Sequence, residues 1–236
     1  MRSVAAAAVV IAAGFGPVPA YAGTWMTDAR SGCTVWDPLP VPEQTIQWTG
    51  RCRDGKASGA GVLTIFRAGK LVERDEGEFV DGKQTGHGSR HYRDGQYAGD
   101  FKDGLFDGNG VYVASNGMRY DGEWKAGNFD GHGTLSFASG VRYEGQFRAN
   151  TFSGHGRLIL PDGARYDGEY RLNTPHGMGV YRDANGAIFA GQWTNGCFRD
   201  GDRTAHLGVF AEDCGLSAEA SVAQAESSDP RQSREN

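Results

Sequence analysis

Polar and apolar residues alternate along much of this chain, most clearly near its middle. Tyr120, Gly122 and Trp124 fall on one side of an extended backbone, and the charged residues between them fall on the other. The stretch 131–137 returns with the same period, since glycine, leucine and phenylalanine alternate against polar residues. No stretch of this region sustains a 3.6-residue apolar period, so the pattern predicts β-strands and no helix there.

One glycine position recurs with these strands at intervals of 22 to 27 residues, most often 23. The repeats are numbered here from first to seventh by this glycine: Gly50, Gly77, Gly99, Gly122, Gly145, Gly168 and Gly191. A glycine inside a strand costs about 0.5–1 kcal/mol relative to alanine, so its repetition is expected where no side chain fits. We therefore expect aromatic rings to lie over backbone that glycine leaves bare.

Two turn signals punctuate each repeat. The first turns carry Gly or Asn at their second position, which indicates positive φ: Asp54-Gly55, Asp81-Gly82, Asp103-Gly104, Ala126-Gly127, Ala149-Asn150, Leu172-Asn173 and Asn195-Gly196. The second turns have the Asx-Gly or Ser-Gly chemistry of hairpin loops: Asp94-Gly95, Asn116-Gly117, Ser139-Gly140, Asp162-Gly163 and Asn185-Gly186. The predicted fold is all-β, an elongated single-layer twisted ribbon of tandem β-hairpins.

The repeated motif, YxGxW or YxGxF followed by G, then GxG and an Asp/Asn-Gly turn, resembles the MORN repeat. The resemblance covers Trp48 to about Gly201, in six full copies and a degenerate seventh. Departures from this motif lie towards the ends of the array. Asp75 takes the first aromatic position of the second repeat, and Cys52 takes the second aromatic position of the first repeat. The resemblance implies a noncatalytic interaction and assembly module, often dimeric.

The two ends differ from the array in composition. Residues 1–22 have the features of a signal peptide, because Arg2 precedes an apolar run and small residues precede Gly23. We predict a capping segment at 23–47, the repeat array at 48–201, a second capping segment at 202–214 and a disordered tail at 215–236. The mature chain is expected to be exported and soluble, in the periplasm or outside the cell.

Four cysteines lie in two pairs near the ends of the array: Cys33, Cys52, Cys197 and Cys214. Three pairings are formally possible. Cys52 and Cys197 are six repeats apart, on the order of 58 Å at about 9.6 Å per hairpin, whereas a disulfide joins Cα atoms within about 6.8 Å. We therefore pair Cys33 with Cys52 and Cys197 with Cys214, so that each disulfide caps one end. A zinc site would need four clustered ligands and is not expected.

Candidate chemistry is sparse. The segment Gly77–Lys83 matches the start of a phosphate-binding loop, but Gln84 stands where magnesium binding needs Ser or Thr, and the repeat itself generates this spacing. Histidines at GxG centres, such as His132 and His155, are expected on the solvent side of a strand. Carboxylates alternate there with arginines as a compensated charge ladder. We predict no enzyme activity, no cofactor and no metal.

Two rows of aromatic residues remain as candidate binding surfaces. The first is the aromatic ladder, whose candidate partner-binding residues are Tyr97, Tyr120, Tyr143, Tyr166, Trp124 and Trp193. Most of its area is expected to hold the ribbon together, with leftover ring edges forming a long shallow groove. The second is the turn row, with candidates Phe106, Phe129 and Phe152, which we expect to be exposed unless something covers them.

A protein partner, or a second copy of the chain in a homodimer, suits such evenly spaced anchors best. Anionic lipid is the alternative, but removal of Arg2 with the signal would leave 23 basic against 29 acidic residues, which disfavours electrostatic binding. Stacking on an extended glycan or similar polymer is a further alternative. Nucleic acid is not expected, because the chain is acidic and has no basic stripe.

Overall fold

The computed structural model describes residues 23–216, and their strands form one open β-sheet. Within this range the only helical element is the short 3-10 turn Glu212–Cys214. The predicted signal peptide at 1–22 lies outside the described residues, as does the predicted tail beyond residue 216. The all-β ribbon of tandem hairpins predicted from the sequence is confirmed.

Eighteen strands follow one another along the described chain. They are β1 (Thr24–Thr27), β2 (Thr34–Asp37), β3 (Gln44–Trp48), β4 (Arg51–Arg53), β5 (Lys56–Arg67), β6 (Lys70–Val80), β7 (Lys83–Tyr92), β8 (Gly95–Lys102), β9 (Leu105–Ala114), β10 (Arg119–Lys125), β11 (Asn128–Ser136), β12 (Arg142–Arg148), β13 (Thr151–Ile159), β14 (Arg165–Arg171), β15 (Thr174–Arg182), β16 (Ile188–Thr194), β17 (Cys197–Asp200) and β18 (Arg203–His206).

From β5 onward each strand pairs antiparallel with the next, and the glycines set the register. Gly122 on β10 pairs with Gly133 on β11, and Tyr120 pairs with Leu135. The same arrangement recurs one repeat later, where Tyr143 pairs with Leu158. Aromatic and aliphatic residues therefore share one face, called here the inner face, and charged residues occupy the other, the outer face.

The first turns have positive φ at both central residues, as in Leu172 (φ 50°) and Asn173 (φ 69°). This is the type I′ conformation that matches the twist of paired strands. Most second turns close three-residue loops, since the Gly117 amide donates to the Ala114 carbonyl at 3.0 Å. The Asp94-Gly95 signal is an exception: Gly95 already belongs to β8, and the loop consists of residues 93 and 94.

Both ends of the sheet are stapled as predicted. Cys33 is bonded to Cys52 with Cα atoms 5.7 Å apart, and Cys197 to Cys214 with Cα atoms 5.5 Å apart. At the N-terminal end β1 pairs with β2, which meets β5 in parallel at Thr34. The disulfides therefore hold the two terminal segments against the first and last repeats.

The buried apolar residues form two separate clusters rather than one. The smaller cluster lies at the N-terminal end and includes Trp48, Leu63 and Phe79. The larger one extends through the later repeats, from Tyr97 to Leu207. Between them part of the inner face of the second repeat carries buried polar side chains, which interrupt the apolar core.

Candidate functional site

The inner face of a regular repeat is built by tyrosine lying on glycine. In the fifth repeat a Cβ atom at Gly156 would lie 2.3 Å from the Tyr143 hydroxyl oxygen, and one at Gly145 would lie 2.5 Å from the Gly156 Cα. The Tyr143 hydroxyl donates to the Gln146 carbonyl at 2.9 Å. The expectation that rings cover bare glycine backbone is confirmed.

The four candidate tyrosines all repeat this geometry and are closed to solvent. Tyr97, Tyr120, Tyr143 and Tyr166 are each at most 1% exposed. Each hydroxyl donates to the backbone carbonyl three residues later. Burial raises the pKa of all four hydroxyls far above the usual tyrosine range, so they are neutral donors that fix the ring in place. No ring face is left over for a ligand.

The turn-row phenylalanines are core residues too, so the expectation that they are exposed is wrong. Phe152 lies parallel to Tyr143 with ring centroids 3.6 Å apart, and Phe129 lies 3.8 Å from Tyr120 in the same way. Both are at most 2% exposed. Phe106 is partly buried and stacks on Tyr97 at 3.7 Å.

The remaining ladder candidates complete this packing. Trp124 is 4% exposed and Trp193 is fully buried. Trp124 meets Tyr97, one hairpin away, edge-on at 5.3 Å, and Trp193 meets Tyr166 likewise at 5.3 Å. Stacked pairs within a hairpin and edge-to-face pairs between hairpins fill the inner face, so the expected aromatic groove is absent along the ladder.

The outer face of the middle repeats is a solvated charge ladder, as predicted. Arg119 pairs with Asp121 at 2.9 Å and Arg142 pairs with Glu144 at 3.0 Å. Such exposed pairs contribute little to stability. A shallow groove of about 590 Å³ crosses this face, and its lining includes His132, Glu144, Gln146, His155, Arg157 and Asp167. The histidines are exposed strand residues, in agreement with the sequence.

The outer face changes character in the last repeats. Met178 (59% exposed), Val180 (46%) and Ile188 (44%) lie on the outer face of strands β15 and β16, together with the exposed Ala190. Val180 pairs directly with Ala190, and these four residues are called here the terminal patch. The corresponding positions one repeat earlier are polar or charged: His155, Arg157, Arg165 and Asp167. The aromatic rows of the sequence do not predict this apolar patch, whereas alignment of the outer-face positions of the repeats does.

The inner face of the second repeat carries a charged layer. Arg90 donates to both Asp75 carboxylate oxygens, at 2.9 and 2.7 Å, and to the Gln84 side chain at 3.3 Å. It also pairs with Glu73 at 3.1 Å. Asp75 is fully buried and Arg90 is 8% exposed. These four residues, the inner charged cluster, stand where regular repeats have apolar side chains.

The cluster contains more acid than base. Burial raises the pKa of Glu73 to about 8, and the neighbouring Asp75 and Asp37 add to the rise against the attraction of Arg90. Burial likewise raises the pKa of Asp37, on β2, which lies close enough to feel both Arg90 and Asp75. The N-terminal segment is therefore coupled electrostatically to the second repeat.

Other chemistry finds little support in the described part of the chain. Residues 23–216 contain no grouping of three His, Cys, Asp or Glu side chains that could hold a metal ion. At the loop that resembles a phosphate site, Gln84 is buried and donates to the Glu76 carbonyl at 3.4 Å, while Lys83 pairs with Asp103. None of the helices described is long and apolar enough to cross a membrane.

Comparison with known proteins agrees with the geometry. The family model described as "MORN repeat" matches residues 76–96, 97–119, 120–142, 143–165 and 166–188. These matches begin in the second repeat and end as the seventh begins, and they include the regular aromatic layers. A search of curated proteins found no match to the chain. The protein is therefore a member of the MORN repeat family, with five consecutive repeats matched over residues 76–188.

Proposed function

We propose that this chain is an exported, noncatalytic scaffold that binds a protein partner, or a second copy of itself, through the terminal patch. MORN repeats are commonly protein- or membrane-interaction modules. The observation that carries the proposal is the exchange of the polar and charged residues of the preceding repeat for exposed Met178, Val180, Ile188 and Ala190 on the outer face. Contiguous exposed apolar residues rimmed by polar ones are typical of interaction sites.

The fold does not require apolar residues at these positions. The preceding repeat builds the same pair of strands with His155, Arg157, Arg165 and Asp167 there. Methionine adapts to varied partner surfaces because it is unbranched and polarizable, and Met178 is 59% exposed. Selection for a contact, rather than for packing within the monomer, accounts for this composition.

Two features support export. The chain contains two disulfides, which form and persist in oxidising compartments. The sequence of residues 1–22 has the pattern of a signal peptide. The noncatalytic role is supported by the regular outer face, whose arginines and carboxylates are exposed and paired with each other.

The test exchanges the patch for the residues of the preceding repeat. The patch variant combines Met178→His, Val180→Arg, Ile188→Arg and Ala190→Asp, all of which the fold already accepts one repeat earlier. A matched control makes the opposite exchange in the fifth repeat, with His155→Met and Arg157→Val. Light scattering measures self-association, and crosslinking before lysis followed by affinity capture measures partner binding.

We expect the patch variant to keep the thermal stability of the wild type and to lose self-association or crosslinked partner by at least about tenfold, a difference of about 1.4 kcal/mol. The control should retain both. The proposal fails if the wild type is a monomer that captures no partner, or if the patch variant associates as the wild type does.

A further inference from the structure

The seventh repeat lacks the return strand that completes the second to sixth repeats. In the sixth repeat residues 165–168 of β14 pair with 179–182 of β15. The equivalent residues of the seventh repeat are 188–191 of β16, and they pair with β15 on one side. On the other side β17 pairs only with the last two residues of β16 and then pairs with β18. In the part of the chain that the structure describes, that side of 188–191 is an unpaired strand edge, called here the open edge.

The repeat glycines show the missing strand at close range. A Cβ atom at Gly168 would lie 2.5 Å from the Gly179 Cα on the facing strand. For a Cβ at Gly191 the nearest atom, apart from its neighbours in the chain, is in the Phe198 ring at 3.3 Å. Phe189 is only half-buried, whereas the equivalent tyrosine of the sixth repeat is fully buried. The open edge is therefore unpaired and its inner face is incompletely covered.

The open edge presents its backbone groups in a defined order. The Asp183 amide donates to the Ala187 carbonyl at 3.0 Å, so the backbone groups of Ala187 face β15. Because successive residues of an antiparallel strand alternate in this direction, the backbone groups of Ile188 and Ala190 face away from β15. The Arg203 guanidinium donates to the Ile188 carbonyl, in agreement with this assignment. The Ile188 amide and both backbone groups of Ala190 thus face the open edge, where no strand of residues 23–216 pairs with them.

The side chains along the open edge are apolar on both faces. Ile188 and Ala190 belong to the terminal patch on the outer face, and Phe189 lies between them on the inner face. Charges of both signs surround the edge, namely Arg182, Arg203, Asp200 and Asp202. Because these charges compensate one another, backbone and apolar contacts are expected to select an occupant, rather than its net charge.

The sixth repeat shows what kind of strand completes such an edge. β15 places Gly179 opposite the repeat glycine of β14, and Tyr181 opposite the tyrosine two residues before that glycine. At the open edge the same register puts a glycine opposite Gly191 and a large apolar residue opposite Phe189. The residue between these two would pair with Ala190 and lie beside the terminal patch. A Gly-x-apolar segment in extended conformation therefore matches the edge.

A second copy of the chain fits this register poorly. Two open edges can pair antiparallel about a twofold axis, with Gly191 opposite the same glycine of the other copy. That register would put Phe189 opposite Trp193 of the other copy. Trp193 already pairs with Phe198 on this side of β16. A strand from a different protein has no such conflict.

We propose that the open edge takes an added β-strand from a partner protein, antiparallel to β16, whose Gly-x-apolar segment completes the seventh repeat as β15 completes the sixth. An unpaired strand edge is a template for pairing with another chain. Backbone hydrogen bonds to Ala190 give affinity, and the glycine and the apolar residue give selectivity. The inference rests on the proposed function, since it states how the partner of the terminal patch is held.

The test uses the full chain with its disulfides intact and a fluorescent peptide with the sequence of residues 176–183, HGMGVYRD. In the register of the sixth repeat the amide of the peptide valine faces Ala190, and the amide of the peptide tyrosine points away from the edge. Two further peptides are N-methylated, one at the valine and one at the tyrosine. Fluorescence anisotropy should show saturable binding that weakens at least about tenfold with the methylated valine and less than about twofold with the methylated tyrosine.

Substitution of Ala190 locates the site. Ala190→Pro removes the amide hydrogen that faces the open edge, and proline is accepted in edge strands where its nitrogen faces outward. This variant should weaken peptide binding at least about tenfold. The matched control, Ala190→Val, keeps the amide and should change binding less than about threefold. Circular dichroism shows whether both variants fold, and the two methylated peptides test the wild type independently of either variant.

Equal effects of the two methylated peptides, equal effects of the two Ala190 substitutions in folded protein, or no saturable binding would overturn the inference. Self-association of the wild type that Ala190→Pro abolishes would also overturn it, because the occupant would then be a second copy.

These outcomes separate the inference from the proposed function. If the patch variant loses a partner that the wild type captures, but no peptide binds the wild type, the proposed function stands and the inference fails. Peptide binding by a wild type that neither self-associates nor captures a partner would contradict the proposed function instead.

Discussion

The second repeat and the regular repeats that follow it share one backbone but have different interiors. Gly77 pairs with Gly88 in the second repeat just as Gly122 pairs with Gly133 in the fourth. Where the fourth repeat places Met118, Tyr120, Phe129 and Leu135 on its inner face, the second places Glu73, Asp75, Gln84 and Arg90.

The comparison separates what specifies the hairpin from what fills it. Paired glycines and type I′ turns are common to both repeats, so they set the register. The inner layer can then be aromatic or charged, provided that its polar groups are paired. In the second repeat the Gln84 amide lies near both glycines, as the tyrosine hydroxyl does elsewhere, and donates to the Glu76 carbonyl.

The largest effect should follow removal of the only cation in the charged layer. Arg90→Leu leaves buried Asp75 without its ion pair, so we expect the free energy of unfolding to fall by about 3–5 kcal/mol. Urea denaturation followed by circular dichroism measures the change. An effect below about 1 kcal/mol would mean that the cluster is solvated in solution.

A second variant distinguishes the loss of the ion pair from a simple packing defect at position 90. Glu73→Met, Asp75→Tyr, Gln84→Phe and Arg90→Leu together install the inner layer of the fourth repeat. Replacing a complete buried ionic layer by apolar residues is often neutral or stabilising. The free energy of unfolding of the fourfold variant should therefore be higher than that of the wild type or within about 1 kcal/mol of it, even though the variant contains Arg90→Leu.

Gly122 and Gly77 occupy equivalent positions in their repeats, but substitution by alanine should destabilise the protein more at Gly122 than at Gly77. A Cβ at Gly122 would lie 2.5 Å from the Gly133 Cα, a backbone atom, whereas one at Gly77 would meet the flexible Gln84 amide first, at 3.1 Å. Gly122→Ala should cost about 1–3 kcal/mol and Gly77→Ala less than about 1 kcal/mol. Equal losses in urea denaturation would contradict the idea that the polar layer is the more adaptable one.

The smallest effect concerns pH. Burial raises the pKa of Glu73 from 4.5 to about 8, so the folded chain binds this proton more tightly than the unfolded chain does. Its contribution to stability is therefore fully present below about pH 4.5 and is lost as the pH rises to about 8, and stability should fall by roughly 1 kcal/mol between about pH 7 and pH 8.

Glu73→Gln should remove this part of the pH dependence, because glutamine keeps the size of the side chain but does not titrate. Glu144→Gln, on the exposed outer face, is the matched control and should leave the dependence unchanged. Thermal unfolding of the wild type and both variants, measured across this pH range, tests the prediction. An unchanged slope in the Glu73 variant would assign the dependence to other groups.

Much of this fold could be predicted because its signals are local. Positive φ at Asn173, the alternation around Tyr120 and the distance between Cys52 and Cys197 along the ribbon all follow from sequence spacing. The burial of Phe152 could not be obtained in this way. It depends on how closely the turn brings this ring to Tyr143, which is a property of the twisted sheet.

The sequence contains the signal for the charged cluster, although Asp75 alone indicates only a departure from the repeat. Counting two residues outward from the paired Gly77 and Gly88 places Asp75 directly opposite Arg90, as the register shows. The terminal patch likewise required comparison of outer-face positions between repeats, whereas attention to aromatic residues favours the inner face.

The central claim is that the aromatic layers are structural and that the last repeats make the contact, and oxidation of Met178 tests it most directly. Met178 is exposed in the monomer, while Met26 is half-buried at the other end and provides an internal reference. Peroxide treatment followed by mass spectrometry gives both rates, first in the dilute monomer and then in the self-associated or partner-bound protein. The account predicts that assembly slows oxidation of Met178 and leaves Met26 unchanged; equal oxidation of Met178 in both states would contradict it.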